Sequence, residues 1–323
     1  MLIRRLPLCR IWRSVLAGMD RSPIPHVDGV RHSYRTVGGI RLHVAEAGEG
    51  PALVLLHGWP QHWYVWHKLI PSLSRQYRVI CPDLRGLGES DAPARGYDKE
   101  TMARDVIGLL DDLGVERCHL VGHDYGGWIG FLVCLFAPER VERFVALNIG
   151  LPVAGPNLAG LLGVWRLWYQ WVLAAPFVGY RIVRRLADDP GVIGAWGGTR
   201  RAWDEDLTRV YSSQLREPSR ARASVQIYRT FQLRDLPWMM SGRYRRIGLR
   251  TPTLVLHGLD DHVVRPSNLS GYERYASRLS VEFVEGGGHF IVDERPDVVL
   301  ERTLSFFADD QLRPAAEALA RSE

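Results

Sequence analysis

A candidate catalytic nucleophile lies in the sequence Gly122-His123-Asp124-Tyr125-Gly126, between an apolar run typical of a buried strand and an apolar helical pattern. A tight strand-to-helix turn of this kind strains its central residue, so the flanking side chains must be minimal. The central residue is Asp124. A carboxylate with a pKa of about 4 is ionised at neutral pH and suits displacement at a saturated carbon, which leaves an alkyl ester of the enzyme. The motif therefore predicts a two-step reaction, in which another group activates water against that ester.

Candidate partners for the water-activating step follow later in the chain. His289, in the sequence Gly-Gly-Gly-His-Phe, is the predicted base, because a neutral imidazole can take a proton from water near neutral pH. Asp261 is the predicted acid that orients this imidazole, and the adjacent Asp260 is predicted to be a solvated turn residue. Asn148 stands at the other position where such an acid could lie, but it carries no charge. Nucleophile, acid and histidine thus follow in the chain order of one known type of catalytic triad.

Backbone N–H groups are the predicted binding site for the charge that develops when water attacks the ester. The sequence His-Gly-Trp-Pro ends a strand-like run, and the N–H of Trp59 can join that of Tyr125 in an oxyanion hole. His57 and His257 also lie at strand ends, and we expect both to bond loop backbone. His123 is expected to point away from the nucleophile.

Strand-like and helical patterns alternate along the chain, which places these groups at strand ends. Two alternating runs, at 32–37 and 41–48, predict an antiparallel pair joined at Gly38-Gly39. Short apolar runs that predict parallel strands covered on both faces lie at 52–58, 77–83, 118–124, 144–150, 251–258 and 281–286. Helical spacing lies between or after them, at 64–74, 100–113, 126–137, 267–278 and 296–308. The predicted fold class is α/β, with a mostly parallel, doubly wound sheet of eight strands.

The interval 151–250 breaks this alternation, because it is rich in Trp and Arg, has helical spacing and contains no strand-like run. We interpret it as an inserted helical cap, called the cap segment below. An insertion after the sixth strand lies over the carboxyl ends of the strands, where open α/β sheets bind ligands. The remaining predicted parts are an N-terminal extension at 1–30, core parts at 31–150 and 251–310, and a tail at 311–323. The extension is expected to be flexible, or to precede a true start at Met19.

Composition and charge exclude several classes of protein. Hydrophobic residues at 46% and charged residues at 24% are ordinary for a globular domain, which excludes a disordered or fibrous chain. No apolar run reaches the roughly 18 residues of a membrane span. The net charge of +5 comes mostly from Arg4, Arg5, Arg10 and Arg13, so the body is near neutral and a nucleic-acid partner is not expected.

Cysteine usage bears on cofactors and on location. The 4 cysteines form no CxxC pair and have no metal-ligand spacing, and no nucleotide motif is present. We therefore expect reduced thiols, a cytoplasmic location, no metal and no other cofactor. The oligomeric state stays open, a homodimer included.

These motifs together resemble the α/β-hydrolase family and, within it, the epoxide hydrolases that use an Asp nucleophile. The resemblance runs from about Tyr34 to Phe307 and rests on HGWPQ, DLRGLGESDAP, GHDYGG, GLDDHVV and GGGHF. It implies the α/β-hydrolase fold with an inserted helical cap, and a triad of Asp124, Asp261 and His289. It also implies a cofactor-independent enzyme.

Two tyrosines of the cap segment extend the resemblance. Epoxide hydrolases use one cap tyrosine in a segment like Tyr-Gln followed by Pro, and a second followed by Arg near the end of the cap. Tyr169-Gln170 and Tyr228-Arg229 are the counterparts here. A phenol with a pKa of about 10 stays protonated at neutral pH, and it can donate to an epoxide oxygen that would otherwise leave poorly. The resemblance thus implies that a small apolar epoxide and water react to give a vicinal diol.

Haloalkane dehalogenases are the nearest alternative, since they share the fold, the Asp nucleophile and the His base. There the residue after the nucleophile is typically a Trp that holds the halide, whereas this chain has Tyr125. Fluoroacetate dehalogenases place Arg residues just after the nucleophile, and the absence of such Arg here predicts an uncharged substrate. A non-catalytic binding protein of the same fold is a further alternative, although such proteins usually lack a triad member. The predicted substrate-binding residues are Trp59, Tyr125, Trp128, Gln170 and Phe290.

Overall fold

The computed structural model describes residues 24–153, 168–188, 203–273 and 275–309, and in them the chain forms one sheet of eight strands. The strands are β1 (Arg31–Val37), β2 (Ile40–Ala47), β3 (Ala52–Leu56), β4 (Arg78–Pro82), β5 (Cys118–His123), β6 (Val141–Leu147), β7 (Thr253–Gly258) and β8 (Leu279–Val284). Their spatial order is β1-β2-β4-β3-β5-β6-β7-β8. The pairs β1–β2 and β2–β4 are antiparallel, and the other neighbours are parallel. The predicted fold class is confirmed.

Helices connect the strands. The α-helices are α1 (Ile70–Leu73), α2 (Lys99–Asp112), α3 (Tyr125–Phe136), α4 (Trp168–Ala174), α5 (Pro176–Leu186), α6 (Glu205–Ser212), α7 (Pro218–Thr230), α8 (Leu236–Met240), α9 (Ile291–Glu294) and α10 (Pro296–Ala308). Shorter 3₁₀ turns lie at Trp63–Trp66, Pro138–Arg140, Ser213–Arg216 and Pro266–Asn268, and a π-helical turn lies at Phe231–Asp235. No helix in the described part of the chain combines the length and the apolar character needed to cross a bilayer.

Two of the predicted helices differ from the structure. The prediction at 267–278 is wrong: among its described residues only a 3₁₀ turn ending at Asn268 is helical, and Gly271 has a φ of 78°, which a right-handed helix does not accept. The prediction at 64–74 divides into a 3₁₀ turn and α1. Pro71, which has no N–H to donate, stands at the start of α1, where such a residue is tolerated.

Local sequence explains the framework that carries the site. Gly38 and Gly39 have φ values of 56° and 82°, as a two-residue type I′ hairpin requires, and they join β1 to β2. The central strands β3, β5, β6 and β7 are almost wholly buried, which agrees with their continuous apolar sequences. Because these strands are parallel, the loops after their carboxyl ends meet at one edge of the sheet.

The cap segment falls between β6 and β7, and its described residues between Trp168 and Met240 form α4 to α8. It contacts the loops at the carboxyl edge of the sheet. The Nε2 of Gln214 donates to the carbonyl of Pro60 at 2.6 Å, and the Nε1 of Trp59 donates to the Oγ of Ser224 at 2.9 Å. Residues 1–23, 154–167, 189–202, 274 and 310–323 lie outside the described residues, so the predicted extension and tail and the domain bounds stay predictions.

Candidate active site

Asp124 lies between the end of β5 and the start of α3, in the turn that the glycine pattern predicts. Its φ of 51° places a non-glycine residue in the left-handed region, a strained conformation. Glycine is needed at two positions near Asp124 because other atoms of the protein approach them closely. A Cβ at Gly126 would lie 2.2 Å from the carbonyl oxygen of Leu56, and a Cβ at Gly58 would lie 2.5 Å from the Oδ2 of Asp124. The chain therefore tolerates no larger side chain at these points.

The carboxyl group of Asp124 is bound by the two backbone donors proposed for an oxyanion hole. Its Oδ2 accepts the N–H of Trp59 at 3.0 Å, and the N–H of Tyr125 also bonds the carboxylate. Burial raises the pKa of Asp124, while the charge of His289, these two N–H groups and the ammonium of Lys99 oppose that rise. The same donors are in position to bind the oxyanion of an ester at this carboxyl group.

The predicted triad residues lie together. The Nε2 of His289 is 3.8 Å from the Oδ1 of Asp124, and its Nδ1 donates to the Oδ2 of Asp261 at 3.1 Å. The Oδ1 of Asp261 accepts the N–H groups of Val263 and Val264, which fix the carboxylate in its turn. Burial would raise the pKa of Asp261, but the charge and hydrogen bond of His289 prevail and the pKa is lowered. Asp261 is thus ionised and hydrogen-bonded to His289, as its predicted role as the orienting acid requires.

The titration of His289 depends on Asp124. Burial alone would lower the pKa of His289, but the charge of Asp261, the hydrogen bond to it and the charge of Asp124 raise that pKa to about 9. At neutral pH the resting pair is therefore an imidazolium beside a carboxylate. Loss of the negative charge of Asp124 would therefore lower the pKa of His289 and favour its neutral imidazole, the form that the predicted base requires.

Asn148, which sequence reasoning dismissed because it has no charge, holds this arrangement together. Its Nδ2 donates to the Oδ2 of Asp261 at 3.0 Å and to the carbonyl of Gly288 at 2.5 Å, while its Oδ1 accepts the N–H of Gly258 at 3.0 Å. It also adopts a φ of 48° at the end of β6, a conformation that Asn tolerates better than most residues. The available signal was a polar residue at the carboxyl end of a buried strand.

We expect Asn148→Gly to slow ester hydrolysis about 10- to 100-fold, because Asp261 and the backbone next to His289 lose their support. Glycine accepts the left-handed backbone, so the change removes only the side chain. Single-turnover kinetics with separate alkylation and hydrolysis rates test this. Equal slowing of both steps would show that Asn148 does not act through His289.

The two predicted cap tyrosines lie within electrostatic range of Asp124. Tyr169 is on α4 and Tyr228 is on α7, where the ring of Tyr228 packs edge-on against Trp59 and Tyr125 with centroid separations of 5.1 and 5.8 Å. Burial first, and the nearby charge of Asp124, raise the pKa of both phenols, that of Tyr169 to about 12. Both hydroxyls therefore stay protonated at neutral pH and can donate.

The residues predicted to bind substrate are buried around this group. Trp59, Tyr125, Trp128 and Phe290 are each at most 6% exposed. The ring of Trp128 packs against Phe231 at 5.3 Å, and in the described part of the chain its buried Nε1 has no hydrogen-bond partner.

Gln170 stands beside a predicted proton donor. Its Nε2 donates to the hydroxyl of Tyr169 at 3.4 Å, and its Oε1 accepts from Gln232 at 2.6 Å. These contacts place Gln170 as a support of Tyr169, in addition to its predicted place in substrate binding.

The two histidines at strand ends, His57 and His257, bond loop backbone, as expected. His57 bonds the carbonyl of Gly58 through Nδ1 and the N–H of Leu84 through Nε2, and burial lowers its pKa to about 4. His257 bonds the carbonyl of Val264. The imidazole of His123 bonds the backbone oxygen of His289 through Nε2 at 2.7 Å and the side chain of Gln61 through Nδ1 at 3.1 Å. Asp260 is exposed, in agreement with the predicted solvated turn.

Lys99 is a second residue that sequence reasoning missed. Its side chain is fully buried, with Nζ 4.3 Å from the centroid of the Tyr125 ring and 3.6 Å from the Oδ2 of Asp235. Nζ also donates to the carbonyl of Ile227, the residue before Tyr228. Lys99 therefore connects α2 to the cap segment. It lies beside the turn that carries Asp124 and close to the candidate proton donor Tyr228. A lysine at the start of an amphipathic helix gives no sequence signal of such burial.

Known proteins match this chain over most of its length. Residues 51–296 match the family described as the alpha/beta hydrolase fold. The soluble epoxide hydrolase of Corynebacterium sp. (strain C12) is 33% identical over 306 residues, which cover 86% of this chain and 98% of that protein. Epoxide hydrolase 3 of Siraitia grosvenorii is 43% identical over 140 residues, 42% of this chain and 44% of that protein. The structure of the epoxide hydrolase CorEH matches with a TM-score of 0.76 at 31% identity, and the match covers 88% of this chain and all of CorEH.

The chain therefore belongs to the α/β-hydrolase fold family. Within that family it is an enzyme of the epoxide hydrolase subgroup, as its motifs predicted.

Proposed function

We propose that this enzyme hydrolyses an apolar epoxide to a vicinal diol through a covalent ester of Asp124. One observation carries the proposal. A single buried site combines an activated carboxylate, a histidine held by a second carboxylate, and two protonated phenols within electrostatic range of the nucleophile. The relatives named epoxide hydrolases support the same reaction class.

Alkylation of Asp124 is the first proposed step. The N–H of Trp59 holds Oδ2, so Oδ1 is the oxygen that attacks an epoxide carbon. The carbon–oxygen bond of the ring breaks, and a proton from Tyr169 or Tyr228 passes to the leaving oxygen. As Asp124 loses its charge, the pKa of His289 falls, and the proton that His289 releases restores the phenol.

Hydrolysis of the ester is the second proposed step. Neutral His289 takes a proton from water, and the hydroxide attacks the carbonyl carbon of the esterified Asp124. The N–H groups of Trp59 and Tyr125 bind the resulting oxyanion. His289 then gives its proton to the departing diol oxygen, and the newly formed carboxylic acid returns a proton to His289, which restores the ion pair.

The cap segment is proposed to close over this site and to define the substrate. Its described helices place aromatic side chains and neutral amides near Asp124, which suits an apolar, uncharged epoxide. Water is the second reactant. The absence of a metal or other cofactor from the reaction, the cytoplasmic location and the oligomeric state stay predictions.

We expect Tyr228→Phe to lower epoxide turnover about 100-fold, and the double change with Tyr169→Phe to lower it further, because an alkoxide leaves poorly without a proton. The measurement is a paired assay of diol formation from apolar epoxides and of halide release from matched haloalkanes. Tyr34→Phe, an exposed position on β1, is the matched control and should leave turnover unchanged.

The same assay separates the proposal from the haloalkane dehalogenase alternative. Halide is a good leaving group and needs no phenol proton, so a dehalogenase would release halide and tolerate the loss of both tyrosines. Halide release without diol formation would overturn the proposed epoxide reaction.

A further inference from the structure

A buried hydrogen-bond chain links the cap segment to the backbone of His289. The Nε2 of Gln61 lies 2.9 Å from the Oδ2 of Asp293, and the Oε1 of Gln61 lies 3.1 Å from the Nδ1 of His123. The Nε2 of His123 lies 2.7 Å from the carbonyl oxygen of His289. The side chains of Gln61, His123 and Asp293 are at most 3% exposed, so water does not readily substitute for a missing partner.

If Asp293 is ionised and His123 is neutral, this hydrogen-bond chain has too few donors for its contacts. The carboxylate of Asp293 and the carbonyl of His289 can only accept, while the Gln61 amide and a neutral imidazole each offer one donor end and one acceptor end. Three contacts then have only two donor ends available. Exchanging the oxygen and nitrogen positions of the Gln61 amide, or changing the tautomer of His123, moves the contact between two acceptors to another place in the hydrogen-bond chain but does not remove it. One additional proton is needed to complete the chain.

The surroundings decide where this proton lies. Burial, with the nearby charge of His289, lowers the pKa of His123 to about 3, so the imidazole does not hold an extra proton at neutral pH. Burial raises the pKa of Asp293 to about 7, which makes its carboxyl group the better holder.

Each element packed against Asp293 contributes a group that faces it. From the cap segment, the Nε1 of Trp203 donates to Oδ2 at 2.8 Å and the hydroxyl of Tyr211 donates to Oδ1 at 3.2 Å. The hydrogen bond of Trp203, the charge of Lys68 and the hydrogen bond of Tyr211 each lower the pKa of the carboxyl group, but together they do not offset burial. The Nζ of Lys68 bonds the backbone carbonyl of Asp293 at 3.2 Å. Glu294, on the same helix α9, raises the pKa by its negative charge. The only close cation therefore bonds the main chain and leaves the carboxyl group without a direct ion pair in the described part of the chain.

We propose that Asp293 holds a proton in the active enzyme and that this proton completes a hydrogen-bond chain through which the cap segment positions His289. The Asp293 hydroxyl donates to the Oε1 of Gln61, the Nε2 of Gln61 donates to the Nδ1 of His123, and the Nε2–H of His123 donates to the carbonyl of His289. The Gln61 amide is turned over in this arrangement, which its nearly symmetric shape allows. Asp293 is thus a positioning residue, and the proposal rests on the proposed role of His289 as the base.

Ionisation of Asp293 is expected to break this hydrogen-bond chain. Loss of the proton leaves two acceptors facing each other at one contact of the chain and places an unpaired charge under the cap segment. The backbone of His289 then loses its fixed position, and misplacement of a base by a fraction of an ångström slows its reaction about tenfold. Ester hydrolysis should therefore decline as the pH rises through the neutral range.

Infrared spectroscopy of the full chain tests the protonation state without any substrate. A protonated carboxyl group has a C=O stretching band separate from those of ionised carboxylates. We expect a band below neutral pH that fades as the pH rises, that is missing from Asp293→Asn and that persists in Asp297→Asn, a change at an exposed position of α10. A spectrum in which Asp293→Asn loses no such band would overturn the proposal, whatever reaction the enzyme catalyses.

Two further measurements complete the test. The tenfold alkaline decline in single-turnover ester hydrolysis should disappear in Asp293→Asn and persist in Asp297→Asn, and an unchanged decline in Asp293→Asn would contradict the positioning role. If Asp293→Asn does not fold, Gln61→Leu serves instead, because loss of the amide acceptor should shift the frequency of the acid band. An unshifted band in Gln61→Leu would exclude the proposed chain.

Discussion

Replacing Asp124 by Asn is expected to lower turnover by about four orders of magnitude or more while leaving the fold intact. An amide oxygen is a poor nucleophile, and loss of a covalent nucleophile removes the whole reaction path. Asn has the size of Asp, can still accept the N–H of Trp59 and tolerates the left-handed backbone at this position. The measurement is steady-state diol formation by freshly prepared protein, with circular dichroism as the check on folding and intact mass as the check that Asn has not reverted to Asp.

The same variant reports on the coupling between Asp124 and His289. In the parent enzyme the charges of Asp261 and Asp124 raise the pKa of His289 to about 9. Removing the charge of Asp124 should lower that pKa, since the remaining support comes from Asp261 and more weakly from Glu294. Nuclear magnetic resonance of the imidazole measures this titration directly.

Asp260→Asn is the matched control, because Asp260 is exposed next to the orienting acid. It should leave both turnover and the pKa of His289 unchanged. Normal multiple turnover in an Asp124→Asn preparation of verified mass would rule out Asp124 as the nucleophile. An unshifted pKa of His289 would show that the two side chains are not coupled.

The sheet and the nucleophile turn were predictable because local sequence encodes them. Continuous apolar runs bounded by turn residues specify buried parallel strands, and all of the predicted runs contribute to the sheet. Glycine at 122 and 126 predicted a turn too tight for side chains, and the close approach of Gly126 to Leu56 is the physical reason. The prediction of Asp124 therefore depended on short-range features.

The residues that support the site were not predictable in the same way. Asn148 is hydrogen-bonded to Asp261, 113 positions away, and Gln61 is hydrogen-bonded to Asp293, 232 positions away. Only the packed sheet and cap segment bring these pairs together, and no period in the sequence marks them. A buried Lys99 likewise looks like an ordinary helix residue until Asp235 is placed beside it.

The wrong helix prediction at 267–278 shows that a local sequence pattern can also mislead. Apolar residues there recur at helical spacing, and several of them are partly or fully buried. The left-handed backbone of Gly271 prevents a continuous helix, because backbone conformation at one residue overrides a periodic pattern. Periodicity identified which residues face the core but not the conformation that carries them.

Replacing His289 by Gln is expected to separate the two proposed chemical steps. Gln can still donate a hydrogen bond to the Oδ2 of Asp261, so the orienting carboxylate keeps a partner. Alkylation needs the carboxylate of Asp124 and a phenol proton. Both side chains remain, but loss of the imidazolium charge raises the pKa of Asp124 and removes the proton that restores the phenol, so alkylation should slow and still occur. Hydrolysis needs a base for water, which Gln cannot supply, so that step should slow by about two to four orders of magnitude. The esterified enzyme should therefore accumulate.

Intact-protein mass spectrometry is the decisive measurement, because each trapped molecule of His289→Gln should gain the mass of one epoxide. Peptide mapping should place that mass on Asp124. His67→Gln, a change at a partly buried histidine whose Nδ1 bonds the carbonyl of Tyr64, is the matched control and should turn over normally without an adduct. If His289→Gln loses turnover but never gains mass, then either water attacks the epoxide directly or His289 is needed before the ester forms. Heavy-oxygen water distinguishes these two cases in the parent enzyme, because an ester intermediate delivers an oxygen of Asp124 to the diol in the first turnover, whereas direct attack delivers the oxygen of the solvent.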